Sequence, residues 1–217
     1  MDGCCGDNGY GDTFGAGFSR RVARRYRKRG LDPTAARMVE FAAAHGVAGA
    51  TVLEIGGGVG GIQVELLKQG AARTTNLELV DSYEADATAL AATAGVADRI
   101  TRRQLDIAVA PDDVEPHDIV VLHRVVCCYP DYQLLLGAAA AHANRVLVFS
   151  HPPGNWVARA MFGAENKLRR LRGSSFRAFV HDPDALVSAA ERGGRLHTRY
   201  RHRGPSWNVV GLAADPS

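Results

Sequence analysis

The stretch Val52-Leu53-Glu54-Ile55-Gly56-Gly57-Gly58-Val59-Gly60-Gly61 decides the fold. Val52, Leu53 and Ile55 make a short apolar strand over residues 51–55. The glycines that follow let the backbone turn tightly and approach a ligand closely. A helix over residues 62–69, stopped by Gly70, opens directly after them with free N–H groups at its start. Open α/β sheets bind ligands at such places, beyond the carboxyl end of the first strand.

The chain alternates outward from this unit. Strands are expected over residues 74–80, 100–105, 119–122 and 145–149, with helices over 84–94 and 131–143. Strands alternating with helices of this length imply βαβ units, a mostly parallel doubly wound sheet and right-handed crossovers. The pattern then changes. An amphipathic helix over 155–171 and a helix over 183–193 precede two extended segments, 195–203 and 207–213, joined by Gly204-Pro205-Ser206. That ending is a hairpin, hence antiparallel. On the other side, residues 1–17 carry six glycines and read as a loop or mobile arm. A helix over 18–29 ends at Gly30, and Asp32-Pro33 opens another that runs to about His45. Residues 1–46 are therefore read as an arm and helical cap, and 47–217 as the sheet domain.

Composition agrees with one globular unit. Of 217 residues, 46% are apolar and 23% charged, so a disordered chain is excluded. No run approaches the roughly 18 apolar residues of a membrane span. Met1-Asp2-Gly3-Cys4 lacks the basic and apolar regions of a secretory signal, and the cysteines form no disulfide framework, so a reduced, cytoplasmic protein is expected. The net charge is +3, yet Arg20, Arg21, Arg24, Arg25, Arg27, Lys28 and Arg29 cluster without an intervening acid. They read first as a solvated helix face partly paired with acids of the main domain. An anionic small substrate and nucleic acid are the alternatives. Tyr26 is the only interleaved aromatic, so no stacking platform for bases is evident.

The glycine loop satisfies two templates. Gly56-x-Gly58-x-x-Gly61 is the dinucleotide fingerprint. Glu54-x-Gly56-x-Gly58-x-Gly60 adds an acid that a dehydrogenase does not need, and this acid suits a ligand carrying an ammonium and a sulfonium. Ribose recognition asks for a carboxylate at the end of the second strand, which Glu78 or Asp81 could supply, Glu78 being the better placed. Asp106 ends the third strand, where an adenine amino group needs an acceptor; it could instead cap a turn.

Glycine loop, second-strand acid, third-strand acid and terminal hairpin together resemble the class I S-adenosylmethionine (SAM)-dependent methyltransferases, over residues 51–213. The resemblance implies a seven-stranded sheet of order 3-2-1-4-5-7-6 with strand 7 antiparallel. It also implies SAM as cofactor. Glu54, Gly56, Gly58 and Gly60 would hold the methionine part, Glu78 the ribose and Asp106 the adenine end, with Leu79 and Ile107 beside those acids. Residues 155–186 are similar to the same region of magnesium-protoporphyrin O-methyltransferases, above all Leu171-Arg172-Gly173-Ser174-Ser175-Phe176 and His181. This implies an acceptor pocket of that general type, without a porphyrin being carried over.

The family places its chemistry after strand four, here Leu122-His123-Arg124-Val125-Val126-Cys127-Cys128-Tyr129-Pro130. Methyl transfer from a sulfonium needs alignment and a deprotonated acceptor. His123 is the natural base, with Tyr129 and His151 as further candidates. For a carboxylate acceptor no strong base is needed, and Arg124 could hold the anion. Phe14, Phe18 and Tyr26 are expected as lid aromatics on the substrate side. Cys4, Cys5, Cys127 and Cys128 could gather a soft metal or metalloid, but adjacent cysteines ligate one ion poorly, so no metal is assigned. The expected function is methyl transfer to a small-molecule acceptor at oxygen. The rivals are a non-catalytic SAM- or ligand-binding module or partner subunit, an RNA methyltransferase and an NAD(P)-dependent oxidoreductase.

Overall fold

The computed structural model describes residues 9–215. The strands are β1 (Thr51–Ile55), β2 (Arg73–Glu78), β3 (Ile100–Gln104), β4 (His117–Leu122), β5 (Ala143–His151), β6 (His197–His202) and β7 (Asn208–Ala213). The helices are α1 (Tyr10–Thr13), α2 (Ala16–Arg29), α3 (Pro33–Ala44), α4 (Gly61–Lys68), α5 (Glu84–Thr93), α6 (Tyr132–Ala141), α7 (Trp156–Leu171) and α8 (Pro183–Glu191).

The strands form one sheet in the order β3-β2-β1-β4-β5-β7-β6. All neighbours are parallel except β7, which runs antiparallel to both β5 and β6. This is the order the family resemblance implied. Both faces of the central strands are apolar, as a covered parallel sheet requires. Val52, Ile119, Val121, Val146 and Val148 pack on one side with Met38 and Phe41 of α3 and Leu66 of α4. Leu53, Val120, Leu122, Leu147 and Phe149 pack on the other with Leu135 and Leu136 of α6 and Leu186 of α8. Successive residues thus feed opposite cores, the period-two pattern of a strand. Gly211 of β7 lets α3 approach: a Cβ there would stand 2.6 Å from the Phe41 ring.

Of the segment expected as a cap, α3 lies on the sheet itself, whereas α1 and α2 border the carboxyl ends of the strands. Residues 10–17 are not the expected loop. They form α1 and the start of α2, because Tyr10 and Phe14 find ring partners in Phe176, and such packing overrides the weak helix propensity of glycine. Helix starts follow local chemistry. Asp32, Asp131, Asn155 and Asp182 cap α3, α6, α7 and α8 through their side-chain oxygens. Among the described residues no helix is long and apolar enough to cross a membrane.

Candidate functional site

The carboxyl ends of β1, β2 and β4 open into a cavity of about 860 Å³. Its floor is the glycine loop. Gly56, Gly58 and Gly60 all have φ between +54° and +78°, the left-handed region that other residues rarely adopt. Gly57 is required for another reason: a Cβ there would stand 2.1 Å from Asn76 Nδ2 and 2.6 Å from Glu54 Cδ. The loop is held from below. Gly58 N–H donates to Glu78 Oε2 at 2.9 Å, and Arg102 Nη2 donates to Gly58 O at 3.0 Å. Arg102 comes from the polar edge strand β3, and the sequence carried no sign of this role.

Glu54 lies at the end of β1, lines the cavity and is only 2% exposed. Gln63 N–H donates to its Oε2 at 3.3 Å. Burial dominates, and pushes its carboxyl up to about 8 despite this bond and the nearby Arg102. Burial thus favours the protonated form of Glu54, and a neighbouring cation would favour the ionised one. Glu78 closes β2, lines the cavity and also accepts from Leu79 N–H at 2.9 Å; burial raises its carboxyl as well. The rival Asp81 is exposed and lies outside the cavity wall. Leu79 and Ile107 line the cavity beside the two strand ends.

Asp106 does two things. Its Oδ1 accepts from Ala108 N–H at 2.9 Å, a turn-capping role, and its Oδ2 accepts from Tyr129 Oη–H at 2.9 Å. Each oxygen keeps a second lone pair for a ligand. Tyr129 is thus a hydrogen-bond donor on the cavity wall, and burial with the neighbouring Asp106 charge raises its phenol further above the usual range.

His123 stands at the end of β4, with both ring nitrogens engaged. Nδ1 lies 3.1 Å from Ser150 Oγ, and Nε2 lies 3.3 Å from Asp32 Oδ2. Burial would raise the Asp32 carboxyl, but His123 and Arg124 hold it well below the usual carboxylate range. Burial lowers the His123 ring despite Asp32, which favours its neutral form. An ionised Asp32 assigns the proton to Nε2, leaving Nδ1 to accept from the Ser150 hydroxyl. Ser150 Oγ in turn accepts from Arg124 N–H at 2.8 Å. Neither nitrogen of His123 is bare toward the cavity.

Arg124 is the one non-glycine residue with positive φ among the described residues, at 59°. Its bond to Ser150 holds that backbone. Its Nη2 lies 3.1 Å from Asp32 Oδ2, and its guanidinium stacks 4.9 Å above the Trp207 ring. Its Nε is buried without a partner. Strain of this kind persists where surrounding contacts over-determine it, often at functional sites. Asp32 was legible only as a helix cap; its Oδ1 does cap α3, while its Oδ2 serves the site.

The expected His151 is not brought to the cavity. It is 2% exposed, its Nδ1 faces Pro152 O at 2.8 Å, and it is absent from the cavity wall. Phe14, Phe18 and Tyr26 do line the cavity. Phe14 is the hub of a ring cluster, with centroids 5.5 Å from Phe18, 5.3 Å from Phe176 and 6.4 Å from Tyr10. Tyr26 Oη–H donates to Glu65 Oε1. Arg169 of α7 stacks 4.9 Å from Phe176 and reaches Thr13 at 3.4 Å, closing the roof.

Cys127 and Cys128 also line the cavity, with sulfurs 3.6 Å apart. The Cys127 contact and burial push the Cys128 thiol far up, which keeps it protonated. Cys4 and Cys5 lie outside the described residues. Among the described residues no cluster of three or more His, Cys, Asp or Glu is placed to hold a metal ion.

No protein-family model matches the sequence, and no curated protein is significantly similar to it. Solved structures share its fold. Magnesium protoporphyrin IX methyltransferase from Synechocystis PCC 6803, solved with bound SAH, superposes with a TM-score of 0.71 at 16% identity, over 94% of this chain and 97% of that one. An O-methyltransferase family protein from Burkholderia thailandensis gives 0.69 at 16% identity, over 91% of this chain and 58% of that one. A putative RNA methyltransferase from Pyrococcus horikoshii gives 0.57 at 13% identity, over 83% of each chain. The fold is therefore that of class I methyltransferases, and it spans unlike acceptors.

Proposed function

We propose that this protein is a class I SAM-dependent methyltransferase that methylates a small molecule at oxygen. One observation carries the cofactor assignment. A left-handed glycine loop lies between the buried Glu54, whose carboxyl is raised by burial, and the second-strand acid Glu78, at the carboxyl end of the first strand. A buried acid of this kind is stabilised as its anion by a cationic ligand. These residues fit SAM. The loop from Glu54 to Gly60 would hold its methionine part, Glu78 its ribose hydroxyls, and Asp106 with Tyr129 its adenine end. When bound, SAM supplies a methyl group activated by the sulfonium.

None of the three expected bases is free at the acceptor side. His123 is engaged at both nitrogens, Tyr129 donates to Asp106, and His151 lies off the cavity. This favours an acceptor oxygen that arrives deprotonated, a carboxylate. Arg124, fixed by Ser150, Asp32 and Trp207, would orient that anion, while His123 holds Asp32 and so the arginine. The ring cluster would exclude water from the reacting atoms.

The engagement of these candidate bases also favours a second reading, a SAM-binding module without turnover. Native mass spectrometry with SAM and with NADH, followed by a panel of carboxylate and hydroxyl acceptors, separates the readings. The expected result is a SAM adduct, weakened about a hundredfold in Glu78→Ala, with methyl transfer to a carboxylate. An NADH adduct without a SAM adduct overturns the proposal. Tight SAM binding without transfer to any acceptor supports the module.

A further inference from the structure

Helix α7 carries apolar side chains on its outer side. Trp156 is 79% exposed, Met161 66% and Leu171 77%, with Val157 and Leu168 exposed between them. At 3.6 residues per turn these positions, with the exposed Ala160 and Ala164, form one stripe along the helix. The opposite side faces the body: Ala158 is buried, and Asn166 exchanges hydrogen bonds with Ala178 at 2.7 and 2.9 Å. Exposed Arg159, Lys167 and Arg170 run along one border of the stripe, and Arg172 follows its end.

Helix α2 presents a face of the opposite kind. Arg20, Arg21, Arg24, Arg25, Arg27, Lys28 and Arg29 are all exposed, while Ser19 and Ala23 are buried behind them. Among the described residues none of the seven forms an ion pair or side-chain hydrogen bond, so the expected pairing with acids of the main domain does not occur. The two helices border the same cavity, Arg25 from α2 and Leu168 from α7, with Arg172 just beyond the end of α7.

We infer that α7 and α2 form a docking surface for an anionic lipid bilayer. Helix α7 lies in the interface along its stripe, and the cations of both helices meet headgroup phosphates. Charge complementarity selects this occupant. A nucleic acid would satisfy the arginines of α2 but leave Trp156, Met161 and Leu171 against its polar backbone. A second copy would cover the stripe but bring two cationic borders together. A bilayer accepts both features: Trp and Leu enter the acyl boundary, the long cations reach the headgroups, and basic residues add to attraction for anionic lipid. A sixteen-residue amphipathic helix lies on a membrane and does not span it. Leu168 belongs to both stripe and cavity wall, so docking would set one edge of the cavity at the lipid surface.

The test is co-sedimentation of the whole protein with vesicles of phosphatidylcholine alone and of phosphatidylcholine mixed with phosphatidylglycerol, at low and high salt. Binding to the anionic vesicles only, weakened by salt, is expected. Trp156→Ser with Leu171→Ser should weaken it about tenfold or more. Arg21→Gln with Arg24→Gln and Lys28→Gln should weaken it by about fivefold per charge removed. These residues are exposed, and circular dichroism of each variant checks that the fold persists. Absence of vesicle binding overturns the inference, as does anionic-vesicle binding that the stripe variant leaves unchanged. Salt-sensitive binding to an RNA oligonucleotide without vesicle binding assigns the face to nucleic acid instead. A concentration-dependent dimer lost in the stripe variant assigns it to a second copy.

Discussion

The floor and the roof of the cavity are built on different physics. The floor is backbone and buried charge: Gly56 to Gly60 in left-handed turns, with Glu54, Asn76, Glu78 and Arg102 beneath. Its parts come from neighbouring strands and tolerate little movement, because buried polar groups must keep their partners. The roof is rings and long-range ties. Tyr10 Oη–H reaches Cys128 O across 118 residues of chain, and Arg169 reaches Thr13 across 156. Ring edges can slide where hydrogen-bonded charges cannot. A fold built this way can keep one cofactor floor and change acceptors by altering the roof.

The floor should therefore break abruptly. Gly57→Ala is the sharpest case, since both groups its Cβ would meet are buried and hydrogen-bonded. It should cost about 3 kcal/mol, lower Tm by roughly 10 °C and abolish SAM binding. A Tm within a degree of the parent would show that the floor yields as easily as the roof. Gly57 falls outside the Glu54-x-Gly56-x-Gly58-x-Gly60 pattern, so this result would also separate packing from motif.

Glu54 gives the floor a pH signature. Its folded value of about 8 lies above the ordinary 4.5. A raised carboxyl favours the folded state below its unfolded value, and that contribution is lost as pH rises through the folded one. The ligand-free protein should lose on the order of 2 kcal/mol between about pH 5 and pH 8 from this group, after allowance for relaxation around the charge. Glu54→Gln should flatten that part of the profile in denaturant titrations. A cation beside the carboxyl favours its ionised form, so SAM affinity should rise with pH over the same window. An unchanged profile in Glu54→Gln would place the titration elsewhere.

These contrasts also explain what could be read from the chain. The floor was legible because its signals are local: an apolar strand, glycines and an acid at fixed offsets between residues 51 and 81. The strand order followed from the same alternation and the family resemblance. Glu54 was read as facing a ligand cation, which the cavity allows, but its burial was not visible. The roof was less legible. Phe14, Phe18 and Tyr26 were expected there, yet residues 10–17 looked like a loop, since glycine content reports propensity and not the ring contacts that order α1. Tyr10 carried no local signal, and Phe176 entered only through the resemblance of residues 171–176. His123 was visible as a strand-end histidine, but its partners were not, because Asp32 lies 91 residues away and already had a sufficient role as a cap. The left-handed backbone of Arg124 breaks a local rule, and only its tertiary contacts sustain it.

Asp32 joins the two regions and should give an intermediate effect. Asn caps a helix about as well as Asp, so Asp32→Asn should move Tm by no more than about 3 °C. The charge that holds Arg124 would be gone. Turnover of a carboxylate acceptor should fall about tenfold, with SAM affinity unchanged. Equal losses in both would make Asp32 a part of the floor, and unchanged turnover would remove it from the site.

The smallest effect is expected in the roof itself. Phe14 touches three rings at centroid distances of 5.3 to 6.4 Å and is only half-buried. Phe14→Leu keeps the apolar bulk but removes the edge-to-face geometry, which is worth about 1 kcal/mol in such pairs. The acceptor KM should rise about fivefold, with kcat and SAM affinity held, because the remaining rings can close over the gap and the floor is not touched. Calorimetric titration of SAM beside steady-state kinetics on the acceptor reads both arms. Should SAM affinity fall in step with the acceptor, the ring cluster would be bracing the glycine loop through Phe18 and Tyr83, whose centroids lie 6.5 Å apart. The two regions would then be one mechanical unit, and acceptor range could not change without a cost to cofactor binding.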